Sequence, residues 1–572
     1  MRKFLLVLVL LLFSTSFCYQ FYFANLHAHT AYSDGVGTPE EAFEHARRYV
    51  HVQAITDHAE YFGQKIDGQD KLLLTKAAAK RATTKDFVAL WGFEWTGGVG
   101  HINVYCTDEW IDRTRSLKEL YEWIVKKKAL AQFNHPIATF GTFYDFEYDP
   151  KADEFINLIE VGNGSWRGRI ISDEMFSNYV LALKKGWHLG ATAGQDNHKG
   201  GWGSANDART VILADELGLE SILTALMERR TYASEDKSAR LWFSCGQSVM
   251  GSIVETSEAV SFEIRYEDDE PLERLYLISE SGTVTEWTVN SNHFETIVNM
   301  TPPDANEWYF LYAVQKDGDR IVSSPIWVRA SKIYPVNVRF FSLPRTLNLS
   351  FDLVNFSDAA SNVEVKIVVA DRTEELRVFL QPKTKVVVNR SYTDLTPGSA
   401  EIRIELAGLI GWKGRAEVLR DSILLDVSHE NDESRLTGWL NEACKRFGIV
   451  VEKNTTYFKK IPKNRLIVLP LPKKESFPET RQLNDFEIEN ILRHLEAGGR
   501  VALISYDGAI VDESFVKLVK AVDPDLNLSQ TEDRIFLEVR GKEMNYYVSD
   551  GFIFAKVNSL QDVIELLEEL LK

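Results

Sequence analysis

Cysteine is almost missing from this sequence: Cys18, Cys106, Cys245 and Cys444 are the only four in 572 residues. They lie too far apart for a disulfide framework, and once Cys18 is set aside with the N-terminal segment an odd number remains, read here as buried thiols. A surplus of positive charge is missing too. Acids outnumber bases 83 to 65, for a net charge of -18, and there is no lysine-rich tail. That excludes a surface built to track nucleic-acid phosphates. Beyond the N-terminus no run is long and apolar enough for a membrane helix. What is present is apolar content of 45%, with 12% aromatics, spread along a chain too long for one core. About three to five folded domains are expected.

The N-terminus has the layout of an export signal: Arg2 and Lys3, the apolar residues 4–13, then small polar residues 14–16. Ten apolar residues are too few to span a bilayer. Phe17 stands where a lipoprotein site needs a small residue, which disfavours a lipid anchor on Cys18. The expectation is a signal peptide over 1–18 and a secreted or periplasmic protein with no membrane span in its mature form.

From residue 21 to about 235, short apolar strands alternate with amphipathic helices, the pattern of a parallel α/β architecture. Strands are expected at 21–26, 52–56, 87–95, 101–105, 129–134, 156–161, 189–193 and 209–213. Thr38, Pro39 and Glu41 signal a capped first helix, and a later one runs from Ser172 to its stop at Gly186. From about Ser238 helical periodicity vanishes, and alternating segments such as "AVSFEIRYEDDEP" predict β-sandwich modules over 237–330 and 331–418. Strand–helix alternation resumes over 419–572, predicting a second α/β domain.

The chemistry concentrates before residue 236. In "NLHAHTAYSDG" (25–35), His27 and His29 are one residue apart, so on a strand both imidazoles face the same side and can reach one metal ion. A surface strand that happens to carry two histidines is the competing reading of that stretch alone. The rest of the region weighs against it: His58 closes "AITDH", Glu94 sits in "WGFEWT", His101 in "GHINVY", His135 in "NHP", and Asp196 and His198 in "GQDNHKGG". Each alone could be a turn residue, a structural acid or a cap partner. Together they recur at expected strand ends, where an α/β barrel builds its active site.

In this order, "NLHAHTAYSDG", "AITDH", "GFEW", "NHP" and "DNH" resemble the PHP (polymerase and histidinol phosphatase) family of metal-dependent hydrolases. "GFEWT" followed by "GHINVY" and later "SSPIWV" is most similar to its carbaryl-hydrolase-like branch, the CehA/McbA type. The likeness covers about residues 20–330. It implies a distorted (β/α)7 TIM-like barrel over 19–236 holding two or three divalent ions of zinc, manganese or iron. One ion would be held by His27, His29, Glu94 and Asp196, a second by His101, His135 and a bridging Glu94, and a third by Asp34, His58 and His198. Asp34 is histidine in some relatives. Glu94, Asp196 and Asp34 are thus the expected catalytic carboxylates, acting through the ions. Asp57 is expected to orient a ligand imidazole from outside the ligand set. Arg167 and Lys199 are candidates for binding a substrate anion, or are solvated loop charges.

A water activated between such ions attacks a phosphoester, or alternatively a carboxylic or carbamate ester or amide, of a small molecule or the cell envelope. A reading of another class is a non-catalytic envelope binding or scaffold protein. The C-terminal domain faintly resembles glutamine-amidotransferase-like domains but lacks a nucleophile, since Cys444 lies in the helical "NEACKRFG". His429 reads there as a loop residue.

Overall fold

A computed structural model describes residues 19–572 except 302–303, 420–421, 459–463, 465, 474–481, 533, 550 and 571–572. The expected signal peptide and Cys18 lie outside the described residues. The N-terminal strands are β1 (Gln20–Asn25), β2 (Val52–Ile55), β3 (Val88–Gly97), β4 (Gly100–Tyr105), β5 (Ala131–Asn134), β6 (Ile156–Asn163), β7 (Gly190–Gly194), β8 (Arg209–Ala214) and β9 (Thr231–Ser234). Neighbours pair in parallel along β1–β2–β3 and β5–β6–β7. The expected all-parallel run is broken at β4, which is antiparallel to both β3 and β5. The reason is local: only Gly98 and Val99 separate β3 from β4, and a parallel crossover needs about a dozen residues or more. β8 pairs antiparallel with β1, and the row bends round until β7 meets β8, where Thr210 Oγ1 both donates to Ala193 O and accepts from Ala193 N.

Helices pack between these strands as their caps and stripes dictate. In α1 (Pro39–Ala46), Thr38 and Glu41 form the reciprocal capping box expected of them. In α2 (Lys71–Ala82) the cap is Asp70, and in α3 (Leu117–Lys127) it is Ser116 with Glu119. Leu117, Leu120, Tyr121 and Ile124 form the buried stripe of α3, at the spacing of one helix face. The helix Asp173–Lys185 starts at Ser172 and stops at a left-handed Gly186.

The first β-module is continuous with this sheet, because β9 pairs with Arg320–Ser323. Its longest feature is the hairpin Val260–Ser279 with Gly282–Met300. The second module stacks a three-stranded sheet, Ile333–Leu343, Thr346–Asn355 and Thr384–Tyr392, on a four-stranded one, Arg372–Leu380, Ser361–Val369, Gly398–Leu406 and Leu409–Val418. One apolar core runs from the N-terminal region into this second module, while residues 423–567 bury a core of their own. There Ser422–Asp426 lies between Val450–Asn454 and Leu466–Pro470, all parallel, with Arg500–Ser505 and Phe552–Lys556 extending the row. No helix among the described residues is long and apolar enough to cross a membrane. Cys106, Cys245 and Cys444 are unpaired, but only Cys444 is fully buried, which corrects the expectation for the other two.

Candidate metal centre

All nine expected ligands arrive at one edge of the strand row. β1 ends at Asn25 and the chain runs on extended, with Ala28 bridged to Asn197 and His29 N donating to Asn197 O at 3.0 Å. His27 and His29 therefore face the same way, with their Nε2 atoms 3.2 Å apart. Asp34 sits in the following turn, His58 just past β2, His135 just past β5, and Asp196 and His198 just past β7. His135 and Asp196 adopt φ values of 27° and 47°, in the sparsely populated left-handed region, where strain concentrates at functional positions.

Glu94 was expected at a strand end but lies inside β3, and His101 stands near the start of β4. The hairpin reconciles both with the site. Because β4 runs backwards, its beginning falls at the edge where the parallel strands end, and the Thr96↔His101 and His101↔Asn134 pairings place it beside His135.

Glu94 is the hub. Its fully buried carboxylate lies 3.5 Å from His27, 3.5 Å from His29, 3.0 Å from His58, 3.3 Å from His101 and 3.2 Å from His135. Asn134 Nδ2 donates to Glu94 Oε1 at 2.9 Å. Asp196 Oδ1 is 3.0 Å from His29 and 3.4 Å from His27, and Asp34 Oδ1 is 3.3 Å from His198 and 3.7 Å from His58. Burial alone would push the Glu94 carboxyl up, but His27, His101 and His135 outweigh it and hold it well below the usual carboxylate range. Burial outweighs the neighbouring Asp196 and Glu94 carboxylates and lowers the pKa of His29 below the usual imidazole value.

Three groups have ligand atoms close enough to share an ion: His27 with Glu94 and His135; His27 with His29 and Asp196; and His29 with Asp34, His58 and His198. This differs from the expected sets: His27 accompanies Glu94 and His135, His29 joins the Asp34 group, Glu94 is absent from the group of His27, His29 and Asp196, and His101 is in none of the three. The donors fit divalent ions on their own terms. Glu94 Oε2, Asp196 Oδ1 and His101 Nδ1 are buried without a hydrogen-bond partner, and mixed imidazole and carboxylate ligands suit zinc, manganese or iron.

Glu160 is the residue that motif reading missed. It is fully buried; Oε1 takes His27 Nδ1 at 3.0 Å, and Oε2 accepts from His135 N at 2.7 Å and Asn163 Nδ2 at 2.9 Å. Holding Nδ1 from behind turns His27 Nε2 toward the centre. The arrangement requires Gly194, where a Cβ would come within 2.0 Å of Glu160 Oε1. A signal existed, an acid within the otherwise uncharged stretch "INLIEVGN".

Asp57 does not touch a ligand imidazole as expected. It accepts from Thr30 N, Thr30 Oγ1 and Ser33 Oγ, each at 2.7 Å, so it fixes the loop carrying His29 and Asp34. Arg167 and Lys199 are both exposed on loops, and neither forms an ion pair with a ligand carboxylate among the described residues. At the mouth, the half-exposed ring of Phe140 lies 4.5 Å from the His135 ring and 5.5 Å from that of His101.

No family model and no curated protein matches the chain. Among solved structures it is similar to a two-domain protein from Bacteroides vulgatus described as containing a predicted PHP-like metal-dependent phosphoesterase. Identity there is 18%, over 63% of this chain and 96% of that one, with a TM-score of 0.33. It is also similar to fibronectin(III)-like modules of Clostridium thermocellum CbhA, at 13% identity over 31% of this chain and 93% of that one, with a TM-score of 0.13. At TM-scores of this size neither likeness bears on what the chain does.

Proposed function

We propose that the chain is a metal-dependent hydrolase of the PHP type, cleaving a phosphoester with water activated in a di- or trinuclear site on a distorted (β/α)7 barrel. The observation that carries this is Glu94, a carboxylate shut from solvent and ringed by five imidazoles. So many buried titratable groups, several without a hydrogen-bond partner, are costly unless cations complete them. When bound, the ions would make a water acidic enough to ionise near neutral pH and would draw charge from the ester. This chain's own residues do the rest. Glu94 offers one oxygen to each side of the cluster, Glu160 fixes which nitrogen of His27 points inward, and Asp57 holds the loop bearing His29 and Asp34. Export through residues 1–18 belongs to the same proposal.

Membership of the carbaryl-hydrolase-like branch would favour a carboxylic or carbamate ester instead. The test is hydrolysis of 4-nitrophenyl phosphate, bis(4-nitrophenyl) phosphate and 1-naphthyl N-methylcarbamate by protein reconstituted with zinc, manganese or iron, with ions counted per chain. Phosphoester turnover supports the first reading, and carbamate turnover alone moves the substrate class to the second. Two or more ions per chain with no turnover of any ester would reject both. Fewer than two ions after reconstitution would favour a binding or scaffold protein.

A further inference from the structure

A cavity of about 660 Å³ opens where the helix Asp173–Lys185 and the two β-modules meet. The junction is tightly made: Ala305 N donates to Ile410 O at 2.7 Å, Asp304 pairs with Lys413 at 2.9 Å, and Gly186 abuts Val336. Space left open at such a junction is where ligand sites commonly form. Three features point to an occupant. The first is Trp412, whose six-membered ring rests on the bare backbone of Gly414, where a Cβ would come within 2.2 Å of it. The two residues share one face of the strand Leu409–Val418, so the indole is a fixed platform that lines the cavity. The second is Asn306, whose Oδ1 is buried in the cavity wall and has no hydrogen-bond donor. The third is charge. Five lining side chains are Lys or Arg against three acids, in a chain whose net charge is -18. Among the described residues neither Lys184 nor Arg415 is in an ion pair.

We propose that this junction binds a carbohydrate bearing carboxylate groups, with a pyranose ring laid on Trp412, a hydroxyl donating to Asn306 Oδ1, and a sugar carboxylate met by Lys184 and Arg415. An indole face suits the C–H face of a sugar ring because the ring quadrupole attracts weakly positive hydrogens. Guanidinium and ammonium groups give the charge-assisted bonds that separate an acidic sugar from a neutral one. Glu280 lines the same cavity and supplies a further acceptor for hydroxyls.

Calorimetric titration of the full chain with a mannuronate tetrasaccharide and with mannotetraose tests this directly. The acidic tetramer is expected to bind at least about tenfold more tightly than the neutral one. Trp412→Ala should weaken both by about tenfold or more, while Trp412→Phe retains most of the affinity. Should Trp412→Ala fail to fold, the exposed pair Lys184→Gln and Arg415→Gln still decides, because it should remove the preference for the acidic tetramer without affecting packing. The proposal is overturned if neither sugar binds at about 10 mM, if both bind equally, or if Trp412→Ala binds like the parent protein. Hydrolysis at the metal centre plays no part in any of these outcomes.

Discussion

Glu94→Gln tests the hub with almost no change in volume. The amide loses the charge that offsets repulsion between neighbouring cations, so bound metal should fall by at least one ion per chain and turnover by about a thousandfold or more. His45→Gln is the matched control: His45 bonds Ser204 at 2.9 Å, away from the cluster, and should alter neither quantity. Fully metallated, active Glu94→Gln protein would mean the ions are held otherwise. Glu160→Gln separates orientation from ligation. Its carboxylate takes bonds from both sides, so whichever way the amide turns, its NH2 group meets a donor at His27 or at His135 N and Asn163. Metal affinity should fall about 10- to 100-fold with the fold intact, as titration against a competing chelator would read.

At the scale of elements, the loop after Ser422–Asp426 behaves unlike the simple loop expected around His429. The imidazole is fully buried, with Nδ1 2.7 Å from Asp426 and Nε2 3.3 Å from Glu487 on the helix Asp485–Glu496. Asn431, Ser428 and Asn454 also bond Asp426. Burial would push His429 down, but its bond to Asp426 and the Glu487 carboxylate beside it outweigh that and hold it at about 9. A raised imidazole pKa stabilises the fold fully below the unfolded value of about 6.5, and that contribution is lost as pH rises through about 9. Asp426 and Glu487 are held low by His429 despite their burial, so their contribution is present above about pH 4 and is lost in acid. The C-terminal transition should therefore melt highest between about pH 5 and 6.5 and fall by pH 10, a decline that His429→Gln should flatten. A parent protein equally stable at pH 6 and pH 10 would refute the linkage. His429→Leu leaves two buried carboxylates without a cation and should cost about 3–5 kcal/mol by urea titration.

For the whole molecule, the partition of cores predicts how the chain comes apart. The N-terminal region and the second β-module share one apolar core, whereas residues 423–567 bury another. Calorimetry should show at least two transitions. Ions bound at about a thousand times their dissociation constant would contribute about 4 kcal/mol each to the unit that holds them. Chelation should therefore lower the transition of the shared core and leave that of the C-terminal domain where it was. A single transition that moves as one under chelation would show that the two cores unfold together.

The local chemistry of the chain was legible without a structure because it is written in short spacings. The His-x-His pair, the Thr38–Glu41 and Ser172 caps, the Gly186 stop and the alternation of strand and helix all depend on residues within a few positions of one another. The nine side chains that meet at the edge of the row were legible through the resemblance of their ordered short motifs to a known family. What the spacings left open were contacts made across long stretches of chain. Glu94 becomes the hub because a two-residue turn forces β4 antiparallel and returns His101 to the same edge. Glu160 reaches His27 across 133 positions through the space left by the bare backbone of Gly194. His429 changes from a loop residue to a buried cation only when the helix Asp485–Glu496 brings Glu487 against it. Periodicity and caps are set by neighbours in sequence, whereas ligand grouping, orientation and charge pairing are set by which strands and helices pack together, and only the folded chain decides that.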